Sequence, residues 1–212
     1  MVNAMEGASY YLEGEERFGT CSSRIYSRFS GMHYWKYYRA IAREVLRHSP
    51  ESVLDVGCGP GDILAHLAAE NASMHLFGVD PSEGMVNAAR RNFARHGMSG
   101  RISAGLGSSR DIPFNSKFDL IISSISFHHW KDRGTSLENL SRYLTEKGRI
   151  IIFDLDRSQF PGKLPLFRRH TLSEEEGKTY SVEGFTTTVT HLHGTGLITL
   201  ELNRKQAGIP SA

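Results

Sequence analysis

The sequence has few cysteines and no long apolar run, and these two shortages exclude several classes of protein. Two cysteines occur among 212 residues, Cys21 and Cys58, and they lack the spacing of metal ligands. Cys58 lies in a glycine-rich turn where a disulfide is not expected, so the thiols fit a reducing cytoplasm. No apolar run approaches the ~20 residues that a membrane-spanning helix needs. The sequence therefore predicts a cytoplasmic protein without a membrane partner.

The N-terminus also lacks the features of a secretory signal peptide, because it carries acidic residues where such a peptide has basic ones. The formal net charge of +2 indicates no polyanionic partner, which argues against nucleic acid. Apolar residues make up 39% and charged residues 23%, as in ordinary globular proteins. A chain of 212 residues suits one α/β domain with a substantial core.

One stretch, residues 53–62, has the pattern of a ligand-binding turn. It begins as a buried strand, breaks at Gly57, and leads into residues with the period of a helix. Glycines at alternate positions, Gly57, Gly59 and Gly61, let the backbone approach a ligand closely. Asp55, two residues before the first glycine, would repel a pyrophosphate. The charge therefore favours a cationic, phosphate-free ligand, and S-adenosylmethionine is such a ligand.

Three motifs resemble, in order and spacing, those of the class I S-adenosylmethionine-dependent methyltransferases: VLDVGCGPG, GVDPSEGM and FDLIISSISFHHW. They lie between Val53 and Asp156. The resemblance implies an α/β, Rossmann-like, doubly wound fold with a mostly parallel seven-stranded sheet, in which a C-terminal hairpin supplies one antiparallel strand. It also implies S-adenosyl-L-methionine as the cofactor and S-adenosyl-L-homocysteine as the product.

The resemblance also assigns residues to the cofactor site. Asp80 ends the second predicted strand and would accept hydrogen bonds from both ribose hydroxyls; its alternative role is to cap the helix that follows. Pro81 and Met85 would line the adenine. The predicted cofactor-binding set is Asp55, Gly57, Cys58, Gly59, Asp80, Pro81, Ser82, Met85, Ser108, Ser109, Ser123 and Tyr26.

The loop that would read adenine departs from the family pattern. The family usually has an acid that accepts a hydrogen bond from the adenine amine, and Ser108 takes that place here. Ser108 can still accept this bond through its hydroxyl, and Ser109 can offer its backbone N–H. Asp111 is the alternative acid.

Two histidines after the fourth predicted strand are candidates for catalysis. Residues 118–124 form an apolar run whose carboxyl end faces the ligand crevice in an open α/β sheet. His128, and in second place His129, would act as a general base toward the methyl acceptor; alternatively, the pair only shapes the loop. His191 and His193 share a strand face, but two ligands do not make a metal site, and none is predicted.

The remaining segments flank the core within a single domain, residues 1–212. Residues 1–48 are interpreted as an arm and an amphipathic helix, which either packs on the sheet or places Tyr26, Tyr37 or Tyr38 over the site as a lid. The cofactor-binding core spans 49–156. Residues 157–212 are interpreted as a variable connection and a hairpin, because two β-rich runs are joined by Gly-Thr-Gly.

These features predict methyl transfer to a small-molecule acceptor by in-line displacement. Two alternatives stay open: a methyltransferase that acts on RNA or protein, and a catalytically silent regulatory protein that binds the cofactor. A nicotinamide oxidoreductase is disfavoured, because the carboxylate of Asp55 sits badly beside a pyrophosphate.

Overall fold

A single seven-stranded sheet organises the residues that the computed structural model describes, 35–159 and 170–205. Its strands lie in the order β3-β2-β1-β4-β5-β7-β6. Strands β1 to β5 pair in parallel, and β7 runs antiparallel to both of its neighbours. The predicted Rossmann-like sheet with one antiparallel strand is confirmed. The strands are β1 (Ser52–Val56), β2 (His75–Asp80), β3 (Ile102–Leu106), β4 (Phe118–Ser124), β5 (Leu144–Leu155), β6 (Phe185–Leu192) and β7 (Leu197–Arg204).

Helices flank the sheet and pack against it through two separate clusters of buried side chains. Alternate residues of a strand point to opposite faces, so Ile151 packs in one cluster while Ile150 and Ile152 pack in the other. Burial on both faces explains why the central strands read as continuous apolar runs. The helices are α1 (35–47), α2 (Asp62–Glu70), α3 (Glu83–Arg95), α4 (Arg133–Ser141) and α5 (Glu174–Thr179), with 3₁₀ turns at Phe127–His129 and Arg157–Gln159.

The strand order reverses beside β1, which lies between β2 on one side and β4 on the other. The chain crosses outward from β1 through β2 to β3 and then returns to place β4 against the opposite edge of β1. In open α/β sheets, ligands bind at such a reversal, at the carboxyl ends of the strands. The fold therefore directs attention to the segments that follow β1, β2 and β4.

The predicted arm and the predicted tyrosine Tyr26 lie outside the described residues. Of the predicted lid tyrosines, Tyr37 and Tyr38 lie on α1 and pack partly against the core. The predicted hairpin is present, with Phe185 paired to Arg204 at one end and Leu192 to Leu197 at the other. Within ranges 35–159 and 170–205, no helix has the length and apolarity that crossing a bilayer requires.

Candidate active site

A crevice with about 980 Å³ of empty space, open solvent at its mouth included, lies at the carboxyl ends of β1, β2 and β4. This is the position expected from the reversal of strand order, and its size suits a small-molecule ligand. Nine residues of the predicted cofactor-binding set line it: Asp55, Gly57, Cys58, Gly59, Asp80, Pro81, Met85, Ser108 and Ser109.

The turn between β1 and α2 brings main chain rather than side chains to the crevice. Gly57 has φ +79°, and a Cβ there would lie 2.2 Å from Ser126 Oγ. The N–H groups of Gly57 and Cys58 both donate to the carbonyl of Val79, at 2.8 and 3.0 Å. Gly61 precedes α2 and offers no capping side chain, so the first amides of that helix stay available to a ligand. Within the turn, a Cβ at Gly59 would meet nothing within 4 Å, so this glycine leaves open space.

Asp55, at the carboxyl end of β1, is a buried acid without a partner for one of its oxygens. The residue is 1% exposed, and no donor among the residues that the structure describes reaches its Oδ1 atom. Burial, and secondarily the charge of Asp80, raise the pKa of Asp55 to about 8. A buried charge without a partner is costly, and a cation in the crevice would offset that cost.

Asp80 ties the glycine turn to the start of α3. Its Oδ2 atom accepts a hydrogen bond from the Gly59 N–H at 3.0 Å, and Oδ1 accepts one from the Ser82 N–H at 2.9 Å. Burial raises the pKa of Asp80 to about 6, against the lowering effect of these two bonds. Each carboxylate oxygen retains a lone pair for a ligand hydroxyl.

Ser82 does not line the crevice, and its position gives it a structural role. Its side chain accepts a hydrogen bond from the Met85 N–H at 3.4 Å and so caps α3. Ser82 is therefore the N-cap of α3, which begins at Glu83, so the side chain of Asp80 does not cap the helix.

The loop after β3 presents Ser108 and Ser109 to the crevice. Ser108 pairs with Asp111 through two backbone hydrogen bonds, and its hydroxyl accepts one from the Arg110 N–H at 3.2 Å. The Ser109 hydroxyl donates to Ser136 Oγ at 2.8 Å. Asp111 is exposed and is absent from the lining of the crevice.

Ser123 is fully buried and does not line the crevice either. Its hydroxyl lies 2.8 Å from Ser126 Oγ, and Ser126 donates to the carbonyl of Val56 at 3.1 Å. Ser123 thus supports Ser126, which reaches the crevice in its place. Ile125, between them, has φ +54°, a strained conformation for a β-branched residue, and such strain is concentrated at functional sites.

The two histidines occupy different positions: His129 lines the crevice, and His128 does not. His128 faces Asp154, with 2.7 Å between its Nδ1 and the carboxylate Oδ1, and their side chains are 5% and 0% exposed. Burial, followed by the charges of His128, His170 and Arg133, lowers the pKa of His129 to about 3. His129 thus lines the crevice and His128 does not, while a general-base role for either histidine stays a prediction.

Arg133, at the start of α4, holds the turn that carries both histidines, and no motif or spacing indicates this role. Its Nε donates to the carbonyls of Phe127 and Trp130, both at 3.1 Å, and Nη2 donates to that of His128 at 2.9 Å. Its Nη1 pairs with Glu176 of α5. These contacts join the turn after β4 to α5.

A third histidine, His170, joins the pair from a distant part of the sequence. Its ring centroid lies 5.4 Å from that of His128 and 5.5 Å from that of His129, while the pair is 4.0 Å apart. One ring nitrogen from each of the three lies within 4.8 Å of the others. The spacing of histidines along the sequence does not indicate this cluster, because only the fold brings residues 128 and 170 together.

Comparison with known proteins gives a consistent set of similarities. Residues 47–205 match the family described as Methyltransferase domain. The chain is 28% identical over 151 residues to a ubiquinone/menaquinone biosynthesis C-methyltransferase of Geotalea daltonii, covering 69% of this chain and 64% of that protein. A demethylmenaquinone methyltransferase of Thermotoga maritima is 28% identical over 139 residues, covering 62% and 57%. The chain thus spans less than two thirds of the length of these curated relatives.

Among solved structures, a methyltransferase of Methanococcus maripaludis, described as S-adenosyl-L-methionine-dependent, superposes with a TM-score of 0.74. The two chains are 19% identical, and the match covers 94% of this chain and 99% of the other. An O-methyltransferase from neocarzinostatin biosynthesis, solved with S-adenosyl-L-homocysteine and 1,4-dihydroxy-2-naphthoic acid, superposes with a TM-score of 0.68 at 20% identity, covering 88% and 59%. At these identities the likeness shows a shared fold.

Proposed function

This chain belongs to the class I S-adenosylmethionine-dependent methyltransferase family, and from that premise we propose that it transfers a methyl group from S-adenosylmethionine to a small-molecule acceptor. The family match over residues 47–205 includes every residue of the crevice lining except Tyr38. The observation that carries the proposal is Asp55, a buried carboxylate whose Oδ1 has no partner among the described residues. The methionine part of the cofactor carries positive charge and would supply that partner.

We propose that the cofactor lies along the crevice in the direction that brings its positive charge to Asp55. Its ammonium group binds Asp55, and its ribose hydroxyls donate to Asp80, whose oxygens retain lone pairs. Its adenine lies between Met85 and the loop after β3, where Ser108 faces its edge. This pose accounts for the lining residues that the family motifs supply and for the glycine turn, which leaves room for the ligand.

In-line displacement is the reaction that this arrangement would support. Bound S-adenosylmethionine supplies a methyl group that is already activated by its sulfonium, so the chain need only hold the acceptor in line with it. Such positioning can contribute about 7–11 kcal/mol. A general base contributes about 10²–10⁴-fold, or about 3–5 kcal/mol. A histidine with the low pKa of His129 is a weak proton acceptor, so positioning is the larger effect.

The acceptor is proposed to be a small, largely apolar molecule. The crevice continues from the cofactor residues to Tyr38, Ile125 and Trp130, which offer apolar and aromatic surface. The curated relatives are named for quinone biosynthesis, and a similar structure holds a dihydroxynaphthoic acid. A polyanionic acceptor such as RNA finds no support in the net charge of +2.

Ligand-dependent thermal shift tests the cofactor, and a transfer assay tests the reaction. We expect S-adenosylmethionine and S-adenosylhomocysteine to raise the melting temperature of the chain, and NAD to leave it unchanged. A shift with NAD alone would contradict the proposal. A panel of phenols, hydroquinones and RNA with labelled methyl donor then identifies the acceptor class. Binding without transfer to any of them would indicate a regulatory protein.

A further inference from the structure

We propose that His128, His129 and His170 bind one divalent transition-metal ion at the acceptor end of the crevice. The three rings meet where the turn after β4 faces the segment that follows residue 169, and His129 also lines the crevice. The site itself is inferred from side-chain geometry. Its role in the reaction rests on the proposed methyl transfer.

The three ring nitrogens are almost as close together as the ligand nitrogens of a bound ion. One ring nitrogen from each histidine lies within 4.8 Å of the other two. Ligand nitrogens about 2.0–2.1 Å from a tetrahedral ion lie about 3.3 Å from one another. The three nitrogens would therefore have to approach one another by up to about 1.5 Å on binding an ion.

Asp154 fixes His128 in the state that a metal ligand requires. The carboxylate lies 2.7 Å from Nδ1 and also accepts hydrogen bonds from the N–H groups of His128 at 2.9 Å and Leu155 at 2.8 Å. A carboxylate accepts, so Nδ1 carries the hydrogen and Nε2 presents a lone pair. Carboxylate–histidine–metal arrangements hold ligand rings in this way.

His170 is held in place by the residues that follow it. Leu172 pairs with the end of β5, because its N–H donates to the carbonyl of Leu155 at 2.9 Å and its own carbonyl accepts from the Arg157 N–H at 3.0 Å. Thr171 is 3% exposed, and its carbonyl accepts from Arg157 Nη2 at 2.8 Å. The end of β5 therefore supports both Asp154 and His170.

The charge around the cluster is balanced. Arg133 lies beside the turn and is positive, but its guanidinium pairs with the carboxylate of Glu176. The buried carboxylate of Asp154 lies on the other side of His128. A divalent ion would therefore meet one buried negative group in its second coordination sphere and a paired cation beyond.

Three imidazoles suit Zn²⁺ and the other later transition metals, and three protein ligands leave a coordination position open. Because His129 lines the crevice, this open position would face the acceptor. An acceptor hydroxyl bound there loses its proton more readily: the O–H bond breaks, the proton passes to solvent, and the electron pair stays on oxygen for the attack on the methyl group.

The test uses Co²⁺ as a spectroscopic probe of the full-length, untagged chain. We expect one Co²⁺ per chain, with visible d–d absorption bands that Zn²⁺ abolishes by displacement. His170→Ala should weaken Co²⁺ binding at least tenfold. His66→Ala is the matched control, because His66 lies half-buried on α2 beside Glu70 and outside the cluster. Less than one equivalent bound, or equal binding by both variants, would overturn the proposal.

Two further readouts separate this site from the rest of the molecule. S-adenosylmethionine should give the same thermal shift with the wild-type chain and with His170→Ala, which shows that the variant is folded and that the cofactor site is independent. Asp154→Asn should weaken Co²⁺ binding about 10–100-fold, as loss of a partner behind a ligand does. Methyl transfer that is unaffected by chelation of the metal would overturn the role in acceptor binding.

Discussion

The two ends of the crevice are built differently. The cofactor end consists of the glycine turn after β1 and the carboxylates of Asp55 and Asp80, each placed by the strand that it ends or adjoins. The proposed acceptor end depends on side chains from separate parts of the chain: His129 lines the crevice from the turn after β4 and contacts His170 from the segment after β5. Backbone geometry therefore shapes one end, and long-range side-chain contacts shape the other.

The ends also differ in charge. Burial raises the pKa of Asp55 to about 8 and that of Asp80 to about 6, so the cofactor end favours a positive ligand. At the other end the pKa of His129 falls to about 3, because burial and positive neighbours disfavour its protonation. A cation at the cofactor end would offset the cost of ionising the buried Asp55, whereas the low pKa of His129 keeps its imidazole neutral. Four variants test this division.

The largest effect is expected from Gly57→Ala. The added Cβ would lie 2.2 Å from Ser126 Oγ, at a residue whose φ is +79°. We expect a loss of about 3 kcal/mol or more in the free energy of unfolding, measured by urea denaturation, since a core clash and a left-handed backbone add. Gly59→Ala is the control, because its Cβ meets nothing within 4 Å. Equal losses for the two variants would show that the clash is not what matters.

Asp80→Ala should abolish tight cofactor binding and leave the acceptor end intact. The change removes the acceptor of the proposed ribose hydrogen bonds and the anchor of the Gly59 N–H, which lies 3.0 Å from its Oδ2. We expect affinity for S-adenosylmethionine to fall about 30–100-fold, equivalent to about 2–3 kcal/mol, by calorimetry. Near-normal affinity would remove Asp80 from the site.

Arg133→Ala should disturb the acceptor end and leave cofactor affinity largely unchanged. It removes the side-chain donor to the carbonyls of Phe127, His128 and Trp130, of which Phe127 keeps the Trp130 N–H, so the histidine turn loosens. We expect a loss of about 2 kcal/mol in unfolding free energy and a larger fall in methyl transfer than in cofactor affinity. Arg149→Ala, at a partly exposed pair with Glu201, should change stability by about 1 kcal/mol or less. A large loss of cofactor affinity in the Arg133 variant would contradict the division.

Asp55→Asn should change how the stability of the chain depends on pH. Because the folded-state pKa of Asp55 is about 8 and its ordinary value is 3.8, the folded chain holds a proton that the unfolded chain releases. Without ligand, this contribution is complete below about pH 4 and is lost as pH rises toward 8.

The asparagine variant lacks that loss, so the difference between its melting temperature and that of the wild type should rise steadily from pH 5 to pH 8. Differential scanning calorimetry from pH 5 to 9 measures this. The variant should also bind S-adenosylmethionine more weakly. A wild-type chain that gains stability on the alkaline side would disprove the raised pKa.

The difference between the two ends of the crevice also explains which features could be predicted from the sequence. The family match confirms the predicted class I S-adenosylmethionine-dependent methyltransferase family, and the sheet has the predicted order of parallel and antiparallel strands. Both depend on local signals: apolar runs, a glycine turn, and acids such as Asp80 at strand ends. These signals need no knowledge of distant contacts, because the carboxyl ends of parallel strands meet in any such fold.

The exceptions lie where the role of a residue depends on its partners. Ser82 and Ser123 were predicted in the cofactor site, but one caps α3 and the other is buried behind Ser126. The order of His128 and His129 depends on Asp154, which is 26 residues away from His128 along the chain. No periodicity or motif reports such a pairing.

A crystal structure with bound S-adenosylmethionine tests the central claim most directly. We predict that the ammonium group lies within hydrogen-bond distance of Asp55 Oδ1 and that the ribose hydroxyls reach Asp80. An empty crevice, or a nucleoside bound away from residues 55–61, would contradict the account.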